Sequence, residues 1–393
     1  MQDARFAEKY FLTDEEELLR ESVKEFAERE LRPRIPELDM HGAPFPHDLY
    51  KQAAELGFTG LTAPEEYGGS NMSTICQMIL IEELGKVEPG FAAVIHSTSG
   101  LGLVSFLIAG TEEQKAKWVP KVMQGESFCS FALTEPQSGS DAGGTQTEAR
   151  FDKETNEWVI NGQKAWITGI ESGGFFVVAC RTDPNSHGGH GISMIAVEAG
   201  TPGLEIGVPE KKLGARCSSS GSIFFNECRV PAENLIGKEG DGFKIMMQGL
   251  DMGRLGIAAM SLGIAQDCYE LAADYAVHRE AFGQTISNFQ GISFPIAEMA
   301  AKIDACRCQL YNAARMKDAG QNYSAEAAAV KLLASELCVA CAEKAVQIFG
   351  GVGYSEDTEV TRQWRESKLQ TIGEGTSEIL KIVISRAAFK EEF

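Results

Sequence analysis

The chain changes its hydrophobic periodicity twice, and this limits the possible folds more than any other feature. Up to about residue 126, apolar residues recur at helical spacing. From Ser127 to about Val230, short apolar runs alternate with turn signals, as is typical of a β-sandwich or β-barrel. Helical periodicity then returns in three long stretches, 246–273, 294–319 and 325–349.

The length of 393 residues also favours several cooperating lobes over one core. We therefore predict an α+β chain of three domains. They are an N-terminal helical domain at 1–126, a central β-domain at 127–240 and a C-terminal helical bundle at 241–393.

Local signals place individual elements. Thr13 followed by acidic residues is an N-cap pattern, and a second predicted helix at 48–56 ends at Gly57. A third helix is predicted at 73–84, and the apolar stretch 91–108 predicts a buried helix.

In the β-domain, the dipeptide Asn161-Gly162 predicts a hairpin turn. The apolar runs at 175–180 and 192–197 predict buried strands.

Charge and cysteine usage restrict the partners. The formal net charge of −20 argues against a nucleic-acid or anionic-membrane partner, because phosphate binding favours a basic face. Ten scattered cysteines, without a secretory leader or an apolar run judged long enough to span a bilayer, predict reduced thiols in a cytoplasmic protein. Cys338 and Cys341 form a CxxC pattern in a helical stretch, which we interpret as core packing, and we predict no metal site.

The strongest candidate for chemistry is Glu374, which stands between Gly373 and Gly375 just before an apolar run. Flanking glycines let the backbone turn sharply and approach a flat ligand. Thr376 or Ser377 is the expected N-cap of a last helix. A carboxylate on such a loop is well placed to abstract a proton from a ligand in an apolar pocket. The alternative interpretation is a solvated surface glutamate. The residues of this stretch, taken alone, favour that alternative.

Other segments have polar or flat-ring chemistry, each with a plainer alternative. The loop 131–141 offers hydroxyls and free amides. The Trp166 to Thr168 segment offers a ring that stacks and a hydroxyl, and the alternative interpretation of Trp166 is a core tryptophan. Asp251 and Arg254 share one helical face and form either an ion pair or a ligand contact. The segment 278–283 with Gln290 is a candidate anion site. The 347–353 turn has more glycines than a helix end needs.

The order and spacing of these segments resemble the acyl-CoA dehydrogenases along nearly the whole chain. The resemblance implies an α-helical domain, a β-domain and a four-helix bundle that bind FAD non-covalently. It also implies a homotetramer arranged as a dimer of dimers, acting on acyl-CoA and passing electrons to electron-transferring flavoprotein.

The resemblance also implies the roles of individual residues. Glu374 matches the catalytic base. The residues matching the isoalloxazine site are Phe131, Leu133, Thr134, Ser140, Trp166 and Thr168. Those matching contacts to the FAD of a neighbouring subunit are Arg279, Phe282, Gln290, Gln347, Gly350 and Gly351. Thr376 and Glu378 match further FAD contacts. The predicted substrate-binding residues are Ser140, Asp251, Arg254, Gly373 and Gly375.

In such enzymes the thioester carbonyl is polarised by the backbone N–H of the catalytic glutamate and a ribityl hydroxyl of FAD. Glu374 would take the α-proton while the β-hydrogen leaves as hydride to flavin N5.

Two positions depart from the family pattern. Gly373 replaces an aromatic residue, which predicts a wider pocket for a bulky, branched or cyclic acyl group. The alternatives are compensation by a large residue such as Phe91 or Trp364, and a backbone role for this glycine. Ala92 stands where members that oxidise glutaryl-CoA have an arginine, which disfavours a dicarboxylate substrate.

We therefore predict an FAD-dependent dehydrogenase that forms a 2-enoyl-CoA. The alternatives are an acyl-CoA oxidase or related flavin oxidase of the same fold and a catalytically silent CoA-binding relative.

Overall fold

Helices from both ends of the chain pack on each other and on a mixed sheet formed by the middle of the chain. The computed structural model describes residues 2–172 and 174–390, so the outermost parts of the predicted domains, 1 and 391–393, lie outside the described residues. The predicted order of helices, strands and helices is confirmed.

The N-terminal helices begin where the cap signals predicted. The Thr13 hydroxyl accepts a hydrogen bond from the Glu16 N–H, and the Thr13 N–H donates one to the Glu16 carboxylate; Thr111 and Gln114 form the same capping box. The helices are α1 Gln2–Tyr10, α2 Asp14–Phe26, α3 Ile35–Leu38, α4 His47–Glu55, α5 Thr74–Val87, α6 Pro89–His96, α7 Leu103–Ala109 and α8 Glu112–Met123.

The predicted helix at 91–108 is interrupted by a π-helical segment, Ser97–Gly102, between α6 and α7. Its glycines allow close packing, because a Cβ on Gly102 would stand 2.5 Å from the carbonyl oxygen of Cys129. The whole stretch Pro89–Ala109 is long and apolar enough to cross a membrane, so the prediction that no run is long enough was wrong. However, 72% of its most apolar window is buried inside the protein, as in a core helix.

Eight strands form the sheet within the described part of the chain, in the order β6-β7-β3-β2-β4-β5-β8, with β1 parallel to β4. The strands are β1 Cys129–Ala132, β2 Glu148–Asp152, β3 Glu157–Thr168, β4 Phe175–Arg181, β5 Ile192–Glu198, β6 Leu204–Ile206, β7 Ser220–Pro231 and β8 Leu235–Ile236.

Strand β4 is apolar up to its last residue, Arg181, because both of its faces are buried. Phe175 and Val177 pack with Trp118 of α8, whereas Phe176 and Val178 pack against Trp158 of β3. The sheet therefore folds over its own core and rests on the N-terminal helices.

The predicted hairpin at Asn161-Gly162 is wrong. Both residues lie inside β3, where the pairing with β7 shifts register. Gly162 has φ +145° there, and a Cβ would stand 2.6 Å from Thr147 Oγ1, so the glycine serves a close approach within the sheet. The β2–β3 turn instead lies at 153–156 and contains Asn156 at φ +58°.

The C-terminal region is built around one long helix, α9 Gly242–His278, which packs against α5 and against three of the four helices that follow it, while the last helix packs on the one that begins at Ser324. Those helices are α10 Gln290–Asp318, α11 Ser324–Phe349, α12 Glu359–Gln370 and α13 Ser377–Phe389, with a short hairpin, β9 Glu280–Ala281 and β10 Gln284–Thr285, after α9. Cys338 and Cys341 are buried in this core, and burial raises the pKa of Cys341 to about 12.

Candidate active site

Glu374 lies in the loop between α12 and α13 with a strained backbone. Its φ is +54°, in the left-handed region that non-glycine residues rarely occupy, and Gly375 follows at φ +103°. Thr376 caps α13 by accepting a hydrogen bond from the Ile379 N–H at 3.4 Å. The Glu374 side chain is only 14% exposed, so the solvated surface alternative is wrong.

The two carboxylate oxygens of Glu374 have different surroundings. Oε1 lies 3.2 Å from His96 Nε2. Oε2 is buried and has no hydrogen-bond partner among the described residues. Oε2 also lies against α9, since a Cβ on Gly253 would stand 1.9 Å from it. One oxygen therefore stands beside the Nε2 atom of His96 while the other remains free to bond.

Lys331 of α11 binds the backbone of this loop. Its buried Nζ donates a hydrogen bond of 2.7 Å to the carbonyl oxygen of Gly375. Burial lowers the pKa of Lys331 to about 8, the negative charge of Glu374 opposes that shift, and the positive charge of Arg254 adds to it. The Lys331 amine therefore fixes the position of the Glu374 loop, although burial disfavours its charged form.

Asp251 and Arg254 form an ion pair on α9, with Arg254 Nη1 2.6 Å from Asp251 Oδ1. Ser324 donates a further hydrogen bond of 3.0 Å to the same oxygen. Arg254 Nε is buried without a partner among the described residues. The ion-pair interpretation is therefore confirmed, and this buried N–H remains available to a ligand.

Gly373 leaves open space beside the base. Among described atoms outside its chain neighbours, a Cβ on residue 373 would meet only Leu369, at 3.7 Å and 3.9 Å. Neither Phe91, which stacks on Phe45 in the core, nor Trp364 comes within 4 Å of that position. The φ of Gly373 is not in the left-handed region, so its backbone does not require glycine.

The loop 131–141 is tied to β3 by a buried ion pair. Lys164 Nζ lies 2.7 Å from Glu135 Oε1 and donates a further bond of 3.0 Å to the carbonyl oxygen of Leu133. The Ala165 N–H donates to the carbonyl oxygen of Thr134 at 2.8 Å. Phe131, Leu133 and Thr134 are therefore held beside the segment that contains Trp166 and Thr168.

Trp166 is not a core residue. Its side chain is 62% exposed and its φ is +61°, whereas the adjacent Ile167 is buried. Thr168 is half-buried at the end of β3, and Ser140 is exposed in the loop. An exposed indole on a constrained backbone offers a stacking surface for a flat ring.

A second predicted group lines a cavity of about 790 Å³ between the hairpin after α9 and the end of α11. Arg279, Phe282, Gly350 and Gly351 line it, and Gln290 and Gln347 each precede a lining residue. The ring of Phe282 is 95% exposed. This cavity therefore combines an aromatic ring, the cation of Arg279 and glycine backbone without side chains.

Thr376 and Glu378 line a separate cavity of about 340 Å³ with Lys368 and Thr371. The two cavities share no lining residue, so the predicted cofactor contacts lie in at least two separate places on one chain.

Sequence reasoning missed three supports of the site, His96, Gly253 and Lys331. His96 is a lone polar residue in an apolar helix, and Lys331 is a charge that interrupts the apolar run 327–334. Those interruptions were the available signal.

Comparison with known proteins covers nearly the whole chain. Three sequence profiles match it: acyl-CoA dehydrogenase, N-terminal domain, at residues 13–126; middle domain, at 130–228; and C-terminal domain, at 240–389. The short-chain specific mitochondrial acyl-CoA dehydrogenase of Rattus norvegicus is 40% identical over 374 residues, which are 95% of this chain and 90% of that protein.

Two solved structures extend the comparison. A chain from a study of the electron transferring flavoprotein of Acidaminococcus fermentans has a TM-score of 0.93 and 39% identity, covering 96% of this chain and 99% of that one. An acyl-CoA dehydrogenase of Bacillus anthracis complexed with FAD has a TM-score of 0.91 and 32% identity, covering 97% of this chain and 68% of that one.

Proposed function

The chain belongs to the acyl-CoA dehydrogenase family, and from this premise we propose that it oxidises a branched or cyclic acyl-CoA at the α and β carbons with Glu374 as the base. It is an acyl-CoA dehydrogenase, and its cofactor is FAD. One observation supports the role of Glu374 most directly. Its carboxylate is nearly enclosed, with Oε1 3.2 Å from His96 Nε2 and Oε2 without a hydrogen-bond partner among the described residues.

The α-proton of a thioester is weakly acidic, so the site has to strengthen the base and stabilise the enolate oxygen. Oε2 is the atom that accepts the proton, because it has no competing hydrogen bond among the described residues. For the carbonyl oxygen we assign the Glu374 N–H. Backbone hydrogen bonds within the described chain use the N–H groups of Gly373 and Ser377, but none uses that of Glu374.

The chain's own residues fit FAD. Trp166 and the tied loop 131–141 offer a flat-ring site, and the Arg279 to Gly351 cavity offers a cation and unhindered backbone. When bound, FAD supplies the acceptor for the hydride that leaves the β-carbon. The residues we assign to it are those predicted from the sequence, with Thr376 and Glu378 at the second cavity.

The acyl group is proposed from the space beside Gly373. A branched or cyclic group needs width near the reacting carbons, and no described side chain fills the position where residue 373 would have a Cβ, apart from contact with Leu369. The rat relative is short-chain specific. The alternative substrate is therefore a short acyl-CoA, and the experiment below distinguishes it from a branched or cyclic one.

Electron-transferring flavoprotein is the proposed acceptor, and the Acidaminococcus fermentans neighbour supports it. We also propose a homotetramer in the cytoplasm. Contacts to one FAD from separate surfaces are explained if two subunits share it.

The test is anaerobic flavin reduction with a panel of linear, branched and alicyclic acyl-CoAs. We expect the fastest reduction with a branched or alicyclic member and slow reaction of the reduced, product-bound flavin with oxygen. Preference for a linear member would refute the substrate assignment. Rapid reaction with oxygen would indicate an oxidase, and no reduction by any member would indicate a silent relative.

A further inference from the structure

We propose that His96 is a positioning residue that holds Oε1 of Glu374 and thereby leaves Oε2 to accept the substrate proton. The inference rests on the proposed role of Glu374 and adds a residue to it. His96 lies at the end of α6, is 1% exposed and is separated from Glu374 by most of the chain.

The chemistry of the neighbours fixes the proton of the imidazole. Nε2 lies 3.1 Å from the carbonyl oxygen of Gly253 and 3.2 Å from Glu374 Oε1. A carbonyl oxygen can only accept a hydrogen bond, so Nε2 is the nitrogen that holds a hydrogen. That hydrogen is directed to the Gly253 carbonyl, and the same nitrogen stands 3.2 Å from Oε1, so the positive end of the N–H dipole lies beside the carboxylate.

The fold leaves a slot for this ring. A Cβ on Gly256 would stand 2.0 Å from His96 Cε1, and a Cβ on Gly100 would stand 2.7 Å from Nδ1. Gly256 belongs to α9 and Gly100 to the π-helical segment, so glycines from two elements confine the imidazole. Nδ1 is buried without a partner among the described residues. The two glycines therefore fix the ring with Nε2 beside Gly253 and Glu374, while Nδ1 is left without a hydrogen bond among the described residues.

The other charged groups near Glu374 act at longer range. Lys331 of α11 donates to the Gly375 carbonyl oxygen rather than to the carboxylate, and Arg254 of α9 is paired with Asp251. Within the described residues, His96 is the side chain found within 4 Å of a Glu374 oxygen as an ion-pair partner. Its loss should therefore free the carboxylate to rotate.

Two amide substitutions of similar polarity test this geometry. In His96→Gln, the amide nitrogen can reach about as far as Nε2, whereas in His96→Asn it reaches only about as far as Nδ1. His96→Leu removes the donor altogether. Ser105→Ala is the control. Ser105 is buried nine residues further along the stretch Pro89–Ala109, so this variant measures the effect of altering that stretch away from Glu374.

The readouts are the rate of flavin reduction in a single anaerobic turnover, the Kd for the enoyl-CoA product, the FAD content and the isotope effect of an α-deuterated substrate. We expect His96→Asn and His96→Leu to slow reduction by about ten- to a hundredfold, as for a displacement of the catalytic carboxylate by up to about 1 Å. We also expect a larger isotope effect with Kd and FAD content within about twofold of wild type. His96→Gln should keep most of the rate. If His96→Leu does not fold, the Gln and Asn pair decides.

Combination with Glu374→Gln separates the two proposals. If His96 acts through the carboxylate, His96→Asn should not slow a Glu374→Gln enzyme further. Equal losses in the Gln and Asn variants, no loss in either, or the same loss in the Glu374→Gln background would overturn the inference. Near-normal reduction by Glu374→Gln alone would instead refute the proposed base.

Discussion

The carboxylate of Glu374 occupies the space that a side chain on Gly253 would need. A Cβ at position 253 would stand 1.9 Å from Oε2 and 2.9 Å from Cδ, which is closer than any packed atoms allow. Glycine in a helix interior costs about 1 kcal/mol relative to alanine. Its presence in the middle of α9 is therefore explained by the close approach of the base.

Gly253→Ala should displace the carboxylate without unfolding the protein, because the obstructing atom is the end of a side chain. We expect normal FAD content and a loss of flavin reduction of about a hundredfold, the cost of a misplacement of about 1 Å. Gly249→Ala is the matched control, one turn earlier on α9, where a Cβ would meet no described atom within 4 Å. Equal rates in the two variants, measured by stopped-flow absorbance, would contradict this account.

Gly373→Tyr should discriminate between substrates by shape. The φ at this position does not require glycine, so Gly373→Ala should leave all rates nearly unchanged. The tyrosine ring should collide with a branched or cyclic acyl group at a cost of about 1–3 kcal/mol, which corresponds to roughly five- to two-hundredfold in kcat/KM. Linear acyl-CoAs should be spared. Equal damage to every substrate by both variants would indicate a backbone role instead.

Arg279→Ala should weaken FAD retention. The exposed guanidinium lies in the glycine-lined cavity, where each charge-assisted bond to a pyrophosphate would contribute roughly 1.5–3 kcal/mol. If subunits share the cofactor, the Kd for FAD should rise in this variant and the oligomer mass should fall. Both are measured together. Arg150→Ala, an exposed arginine of the β-domain that pairs with Glu227, is the control. An unchanged Kd for FAD would count against this assignment.

Lys331 should make stability rise with pH. Its pKa is lowered to about 8 in the folded chain from 10.5, so between those values the unfolded chain binds a proton that the folded chain does not. The free energy of unfolding of the wild type should therefore increase by about 2 kcal/mol relative to Lys331→Met between pH 7 and pH 9.5. Denaturant unfolding at both values tests this. A difference that stays constant with pH would show that this amine titrates normally.

The sequence predicted what depends on neighbouring residues. The caps at Thr13 and Thr376 and the loop of Glu374 rest on contacts within a few positions, and they are found where expected. His96 depends on Gly253, 157 residues away, and Lys331 on Gly375, 44 residues away, so no local pattern reveals either. Asn161-Gly162 was misread because the approach of Thr147 across the sheet overrides the turn preference.

The most direct test of the account is the rate of flavin reduction by Glu374→Gln with the best substrate of the panel. Glutamine keeps the shape and the backbone N–H but cannot accept the α-proton at neutral pH. With Glu154→Gln, in the β2–β3 turn, as the control, the account predicts unchanged FAD content and a rate lower by about 10²–10⁴. A Glu374→Gln rate within a few-fold of the control would show that another residue is the base.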